Sequence, residues 1–160
     1  MRVLAIDPGS EKSAWTIFDP ERKEPIAFSI SENRELLSWI RRFKIGDIDW
    51  LVIEIVKSYG NVMGDSILHT VEWIGRFSEA YGDGPICRLS RKEIATNLCG
   101  RPQAKDKNIR QAVIDFYGGQ KKAIGLKKSP GVIYGAKKDI FSALAVALVF
   151  SDQYNDPFLI

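Results

Sequence analysis

The stretch RVLAIDPGS, residues 2–10, decides how the chain begins to fold. Its residues 2–6, which are apolar apart from Arg2, predict a buried strand, and the Pro-Gly-Ser that follows Asp7 predicts a tight turn. Two more apolar runs, residues 14–18 and 25–30, predict a second and a third strand. Because short turn sequences separate the three runs, the first thirty residues predict an antiparallel meander.

Beyond the meander, helical periodicity alternates with two further apolar strands. Ser31 can cap the first helix through its side chain, and Ser90 with Glu93 has the spacing of a capping box. A stretch rich in Gly, Lys, Ser and Pro, residues 119–136, predicts a mobile loop. The predicted helices are residues 31–43, 63–81, 91–98, 106–117 and 139–150, and the predicted strands are residues 50–55 and 85–89.

This order of elements predicts an α/β protein with a central mixed five-stranded sheet flanked by helices. The strand at residues 50–55 is apolar apart from Glu54, which is typical of a central strand covered on both faces. With 160 residues in the chain, we expect one domain over residues 1–160.

The composition excludes several classes of function. No apolar run approaches the roughly 18–20 residues of a membrane span, and the N-terminus lacks the features of a secretory signal. Two cysteines, Cys87 and Cys99, are too few for a disulfide scaffold and form no zinc pattern. A single histidine, His69, makes a His-based zinc site or a Ser-His-Asp triad a poor candidate. We therefore expect a cytoplasmic protein with reduced, inert cysteines and no membrane partner.

The net charge of +3 hides an uneven distribution. Residues 1–85 carry 10 Lys and Arg against 14 Asp and Glu, whereas residues 86–138 carry 13 Lys and Arg against three acidic residues. A basic block beside an acidic one is typical of a polyanion held by one region and chemistry carried out in the other. Nucleic acid is one such partner, and a surface of solvated lysines is the alternative.

Three carboxylates occupy positions where a charge is unfavourable. Asp7 ends the first strand, Glu54 lies within the apolar central strand and Asp139 opens the apolar last helix. Burial of a carboxylate is unfavourable unless a positive charge compensates it, and Mg²⁺ or Mn²⁺ suits oxygen ligands. Two such ions can drive phosphodiester hydrolysis. The alternatives are that Asp7 forms a turn, that Glu54 pairs with a lysine, and that the helix dipole favours the charge of Asp139.

These carboxylates and several short motifs together resemble the RuvC family of Holliday-junction resolvases, which belongs to the RNase H-like superfamily. The resemblance covers nearly the whole chain and is strongest to the phage-encoded RuvC-like branch. The motifs that carry it are Asp7-Pro8-Gly9, Glu54 in WLVIEI, Ser58-Tyr59-Gly60, Met63-Gly64, TVEWIGRF at residues 70–77, AKDKNIRQA at residues 104–112 and DIFSALAVAL at residues 139–148.

The resemblance implies a homodimeric, metal-dependent endonuclease that cuts symmetrically placed strands of a four-way DNA junction. Mg²⁺ is the implied cofactor, with Mn²⁺ as a substitute, and no small-molecule cofactor is implied. The matching residues are Asp7, Glu54 and Asp139 as metal ligands, with Ser142 beside them. Cleavage would leave a 5′-phosphate and a 3′-hydroxyl, and a phage-encoded enzyme would act in the host cytoplasm.

Two positions depart from the bacterial family pattern. Ser142 stands where the bacterial resolvases have a second carboxylate, three residues after the first. Asp106 is the first candidate for a replacement and Asp65 the second, although Asp106 also suits the N-cap of a helix. Lys57 stands where the family has an aromatic residue, and Tyr59 is the candidate to stack on an unpaired base instead.

Basic and aromatic residues supply the candidate contacts to DNA and to a second copy of the chain. Backbone phosphates attract Lys and Arg with little sequence preference. The DNA-binding candidates, besides Tyr59, are Arg101, Lys105, Lys107, Arg110 and Lys138. Trp73 and Phe77 lie on the helix predicted at residues 63–81, which in the resembled family packs against its copy across a twofold axis. Solvated lysines and a monomer core are the alternatives.

Two functions other than junction resolution stay open. Ser142 in place of a carboxylate motivates a non-catalytic protein that binds four-way junctions. The same fold also carries RNase H-like nucleases that act on flaps or RNA–DNA hybrids. Cleavage of the different substrates distinguishes the three.

Overall fold

The computed structural model describes residues 1–44, 46–60 and 62–154, and a mixed sheet lies at its centre. Its strands are β1 (Val3–Asp7), β2 (Lys12–Asp19), β3 (Glu24–Glu32), β4 (Trp50–Ile55) and β5 (Ile86–Ser90). They lie in the order β3-β2-β1-β4-β5. The first three pair antiparallel, whereas β4 pairs parallel with both β1 and β5. The predicted meander and mixed five-stranded sheet are both confirmed.

Helices cover both faces of this sheet. They are α1 (Asn33–Ile40), α2 (Asp65–Tyr81), α3 (Arg91–Cys99), α4 (Asp106–Phe116), α5 (Gln120–Ala123) and α6 (Ile140–Tyr154). The capping box predicted at α3 is confirmed, since the Ser90 hydroxyl accepts from the Glu93 amide and the Glu93 carboxylate accepts from the Ser90 amide. No helix in the described ranges is long and apolar enough to cross a membrane.

The alternation of side chains along β1 builds two layers of core. Val3 and Ala5 pack on one face with the buried side of α6, and Leu4 and Ile6 pack on the other face with α1 and α2. All four side chains are fully buried. Because β1 is packed between both layers, the backbone that leads to Asp7 is fixed by the core.

The prediction of a mobile loop at residues 119–136 is wrong. This segment contains α5 and a small antiparallel hairpin of β6 (Gly125–Leu126) and β7 (Ser129–Pro130). Ala123 and Ile133 are fully buried, and the Ile133 amide donates to the Ala123 carbonyl at 2.8 Å. The segment is rich in glycine and lysine, so its composition did not indicate that Ala123 and Ile133 anchor it in the core.

The predicted cap of the first helix is also wrong. Ser31 lies in β3, and its hydroxyl accepts a hydrogen bond from the indole nitrogen of Trp15 at 3.0 Å. The helix begins two residues later at Asn33, and Glu32 at its N-cap makes no side-chain capping bond. The strand continued further than its apolar pattern indicated, because β2 pairs with it as far as Glu32.

Candidate active site

Asp7 and Glu54 lie side by side at the carboxyl ends of β1 and β4, which are neighbouring inner strands of the sheet. The parallel pairing of β1 with β4 places Ile6 opposite Ile53, and each carboxylate is the next residue along its strand. Both residues are partly buried, and together they line a cavity of about 200 Å³. The register of the two central strands therefore brings together two of the three predicted metal ligands.

A buried hydrogen-bond network fixes the turn that follows Asp7. The Ser13 hydroxyl donates to Asn33 Oδ1 at 2.6 Å, and Asn33 Nδ2 donates to the Gly9 carbonyl at 2.9 Å. The Gly9 amide donates in turn to Ser13 Oγ at 3.3 Å. A Cβ on Gly9 would lie 2.3 Å from the Lys12 carbonyl oxygen, so only glycine fits here.

Sequence reasoning missed Ser13 and Asn33, although both are almost wholly buried. A serine in a strand and an asparagine at a helix start are common on protein surfaces, so neither carries a signal in the sequence. Their role depends on the antiparallel pairing that brings the end of β3 beside the β1–β2 turn.

The two carboxylates lie in an unfavourable electrostatic environment. Burial raises the pKa of Asp7 well above its ordinary value, and the charges of Glu54 and Asp139 raise it further. Burial also raises the pKa of Glu54, while the nearby Arg91 acts in the opposite direction. Glu54 Oε2 is buried and accepts no hydrogen bond. The site therefore favours a bound positive charge, which would compensate both carboxylates.

Arg91 is a site residue that the sequence did not reveal. It is the first residue of α3, and its Nη1 lies 3.9 Å from Glu54 Oε2. Its Nη2 contacts Oδ1 of Asp106, the first residue of α4. The guanidinium thus joins the ends of β4, α3 and α4, which are far apart in sequence.

Comparison with known proteins shows which solved structures this fold resembles. No protein-family model and no curated protein sequence matches the chain. It is similar in structure to RuvC from Thermus thermophilus, with a TM-score of 0.64 and 18% identity over 93% of this chain and 92% of that one. T. thermophilus RuvC in complex with a Holliday junction substrate gives a TM-score of 0.61 and 17% identity, with the same coverage of both chains.

The chain has the RuvC fold. The match confirms the RNase H-like architecture that the sequence motifs implied, and it extends over nearly the whole of both proteins. At this level of identity the likeness is one of fold, so the roles of the site residues depend on their own geometry.

Asp139 and Ser142 lie at the start of α6. Asp139 immediately precedes the helix and is exposed, and its backbone carbonyl accepts from the backbone amides of Ser142 and Ala143 at 3.0 and 3.1 Å. Its charge contributes to the raised pKa of Asp7. Within the parts of the chain that the structure describes, no three His, Cys, Asp or Glu side chains form a group that could hold a metal ion. Asp139 is thus near the pair without completing a three-carboxylate cluster.

The donor set of the pair nevertheless fits one hard divalent cation. Asp7 and Glu54 offer carboxylate oxygens, which Mg²⁺ and Mn²⁺ prefer. The buried Oε2 of Glu54 accepts no hydrogen bond, and such an ion would satisfy it. Mg²⁺ commonly keeps several water ligands and takes only one or two carboxylates from the protein, so two carboxylates suffice.

The two candidates for an extra carboxylate occupy different positions. Asp106 is highly exposed and acts electrostatically on both Asp7 and Glu54. The N-cap of α4 is Lys105, so the alternative of Asp106 as the N-cap is wrong. Asp65 is exposed at the first position of α2. Asp106 is therefore the candidate that the structure brings towards the site, although it is engaged by Arg91.

One of the candidate DNA contacts lines the cavity, and the others lie on exposed surface. Tyr59 lines the cavity, is half exposed, and has Lys92 Nζ 3.4 Å from its ring centroid. Lys138 precedes Asp139 with a φ of 42°, a left-handed backbone conformation that is unfavourable for lysine. The remaining candidates are all exposed, and they are Arg101, Lys105, Lys107 and Arg110.

One of the two residues predicted at a dimer interface does not reach the surface. Phe77 is fully buried in the core between α2 and the sheet, so it has no area to present to a second copy. Trp73 is half-buried and packs on Phe77 with 5.7 Å between ring centroids. The apolar residues that α2 exposes are instead Ile67, Leu68 and Val71.

The cysteines and the histidine take no part in the site. Cys87 and Cys99 are free and half-buried, and burial raises the pKa of the Cys87 thiol. A raised pKa disfavours the reactive thiolate at neutral pH. His69 is exposed on α2, with Nδ1 3.9 Å from a Glu72 carboxylate oxygen.

Replacing Asp7 by Asn should stabilise the metal-free protein. The substitution removes a partly buried charge that Glu54 and Asp139 both repel, and we expect the free energy of unfolding in EDTA at neutral pH to rise by about 1–3 kcal/mol. Urea denaturation measures the change, with the exposed Asp83→Asn as the matched control. An Asp7→Asn variant no more stable than wild type would show that the site does not strain the fold.

Proposed function

We propose that this chain is a metal-dependent, structure-selective DNA endonuclease that resolves four-way junctions. The observation that carries the proposal is the pair of partly buried carboxylates, Asp7 and Glu54, at adjacent ends of parallel strands in a RuvC fold. Such a pair is unfavourable in the folded protein without a cation. A site that persists at a cost in stability is typical of catalysis rather than of structure.

In this proposal Asp7 and Glu54 hold Mg²⁺ or Mn²⁺, and exposed Asp139 adds negative charge from the start of α6. The bound ion supplies Lewis-acid activation of water and charge stabilisation at the scissile phosphate. The buried network of Ser13 and Asn33 holds the turn behind Asp7, so the carboxylate is fixed before substrate binds. Hydrolysis leaves a 5′-phosphate and a 3′-hydroxyl.

The exposed basic residues give the proposed DNA surface. Arg101, Lys105 and Lys107 lie before and within the first turn of α4, and Lys138 lies next to Asp139. Contacts of this kind to phosphates provide affinity without sequence readout. They suit a substrate recognised by its branched shape. T. thermophilus RuvC, which shares the fold, has been solved in complex with a Holliday junction substrate.

A non-catalytic junction-binding protein is the second candidate. Ser142 supplies no negative charge, and the described residues form no three-ligand metal group. Both observations reduce the charge available to hold an ion. A nuclease for flaps or RNA–DNA hybrids is the third candidate, because the same carboxylate pair would serve it equally well.

A cleavage assay on labelled substrates tests the proposal. With Mg²⁺ or Mn²⁺, the wild-type chain should cut a four-way junction faster than a flap, an RNA–DNA hybrid or a linear duplex. Asp7→Asn and Glu54→Gln should each lower the cleavage rate about 1,000-fold, since metal-ion stabilisation of the transition state is worth several kcal/mol. Asp83→Asn is the matched control and should cleave at the wild-type rate.

Each contrary result leads to a different conclusion. Tight junction binding without cutting by any divalent ion would establish the non-catalytic protein. Preferential cutting of flaps or hybrids would establish the third candidate. Cutting that survives both Asp7→Asn and Glu54→Gln would remove these residues from the active site.

The proposed enzyme acts as a homodimer that associates through α2. Ile67, Leu68 and Val71 are large apolar residues, each at least 40% exposed, along the N-terminal half of this helix. Covering them in a twofold interface would remove apolar area from water. A twofold dimer would also place two active sites on two strands of a junction, which has approximate twofold symmetry.

Val71→Glu should disrupt this dimer. A carboxylate at the centre of the apolar face would lie against its own copy and lose its hydration, so we expect the sedimenting species to change from dimer to monomer at micromolar concentration. Ser66→Glu, on another side of the same helix, adds the same charge and should stay dimeric. A wild-type chain that sediments as a monomer, or a Val71→Glu variant that stays dimeric, would rule out this interface.

A further inference from the structure

Arg91 occupies an unusual position for a basic residue. It is the first residue of α3, and Lys92 follows it in the same first turn. Positive charges are unfavourable at a helix N-terminus, where the backbone dipole is itself positive. Glu93 in the same turn offsets part of this charge, but its carboxylate is already engaged by the Ser90 amide and hydroxyl and by Lys57.

The charges that compensate Arg91 come from the candidate active site. The guanidinium faces Glu54 on one side and Asp106 on the other. The Asp106 side chain is 93% exposed, so that pair is largely screened by water. The Glu54 side chain is only 16% exposed, and its charge acts on Arg91 through a less polar medium. Of the two carboxylates, Glu54 is therefore the one whose charge water screens less.

The contact between Arg91 and Glu54 is incomplete. The distance of 3.9 Å between Arg91 Nη1 and Glu54 Oε2 is too long for a hydrogen bond. No other group among the described residues donates a hydrogen bond to that oxygen either. The guanidinium thus partly compensates the charge of the carboxylate without occupying its lone pairs. The oxygen stays able to bind a second cation, but any such cation must approach against the charge of Arg91.

We propose that Arg91 is a positioning residue that competes with the divalent ion for Glu54 and so sets the metal affinity of the site. The inference rests on the proposed function only in requiring that Asp7 and Glu54 bind a divalent ion. In the metal-free protein the guanidinium compensates Glu54. When an ion binds, this pairing weakens and Arg91 keeps its contact with Asp106. Ser142 in place of a carboxylate acts in the same direction, so the site binds its ion weakly.

Mn²⁺ binding to the full chain, without DNA, tests the proposal directly. Arg91→Met and Arg91→Gln remove the charge but keep much of the side-chain length, and each should tighten Mn²⁺ binding about tenfold, measured by electron paramagnetic resonance of free Mn²⁺. Arg91→Lys keeps the charge and should bind with nearly wild-type affinity. Arg88→Met removes the same charge from an exposed position on β5 and should leave the affinity unchanged. A merely structural role of Arg91 would weaken binding rather than tighten it.

The outcomes separate this proposal from the proposed function. Neutral variants that bind Mn²⁺ no more tightly than wild type overturn the role of Arg91 and leave the nuclease intact. Tighter binding in Arg91→Met and Arg91→Gln, in a protein that cuts no junction, supports the role of Arg91 and removes the nuclease. If Asp7→Asn binds Mn²⁺ as well as wild type does, both proposals fail. Melting temperatures in EDTA verify that each variant is folded.

Discussion

The parallel pairing of β1 with β4 is the constraint on which the rest of the site depends. Side chains alternate along a strand, so a slip of one residue between Ile6 and Ile53 would put Asp7 and Glu54 on opposite faces of the sheet. Two layers of core prevent that slip, because Val3 and Leu4 each pack into a different one. The hydrophobic pattern of β1 therefore fixes the register, and the register brings the carboxylates together.

The same arrangement leaves the negative charges of Asp7 and Glu54 only partly compensated. Two partly buried carboxylates at one sheet edge disfavour the folded state, and a single guanidinium at the start of α3 compensates them only in part. Glu54 Oε2, which is buried and accepts no hydrogen bond, reflects the part of the negative charge that is left uncompensated. Buried polar groups without partners are rare in folded proteins, and those that persist commonly have a functional reason. In the proposed enzyme, the fold itself would thus prepare the site for a cation.

Much of the fold followed from local patterns in the sequence. The five strands were predictable because their apolar runs are short and bounded by turn residues, and α3 was predictable because Ser90 and Glu93 cap it. Asp7 and Glu54 were identifiable because a carboxylate stands out at the end of, or within, an apolar strand. The hairpin after α5 was missed, since its anchors Ala123 and Ile133 are surrounded by glycine and lysine. Arg91 and Asn33 were missed for a different reason, namely that their partners are distant in sequence and only tertiary packing brings them close.

The central claim is that Asp7 and Glu54 together bind a divalent ion, and the most direct test is anomalous scattering from crystals soaked in Mn²⁺. The account predicts a manganese peak about 2.1 Å from carboxylate oxygens of both Asp7 and Glu54, and no peak at that position in Asp7→Asn crystals soaked in the same way. Manganese bound elsewhere on the chain, with none between these two residues at saturating concentration, would contradict it.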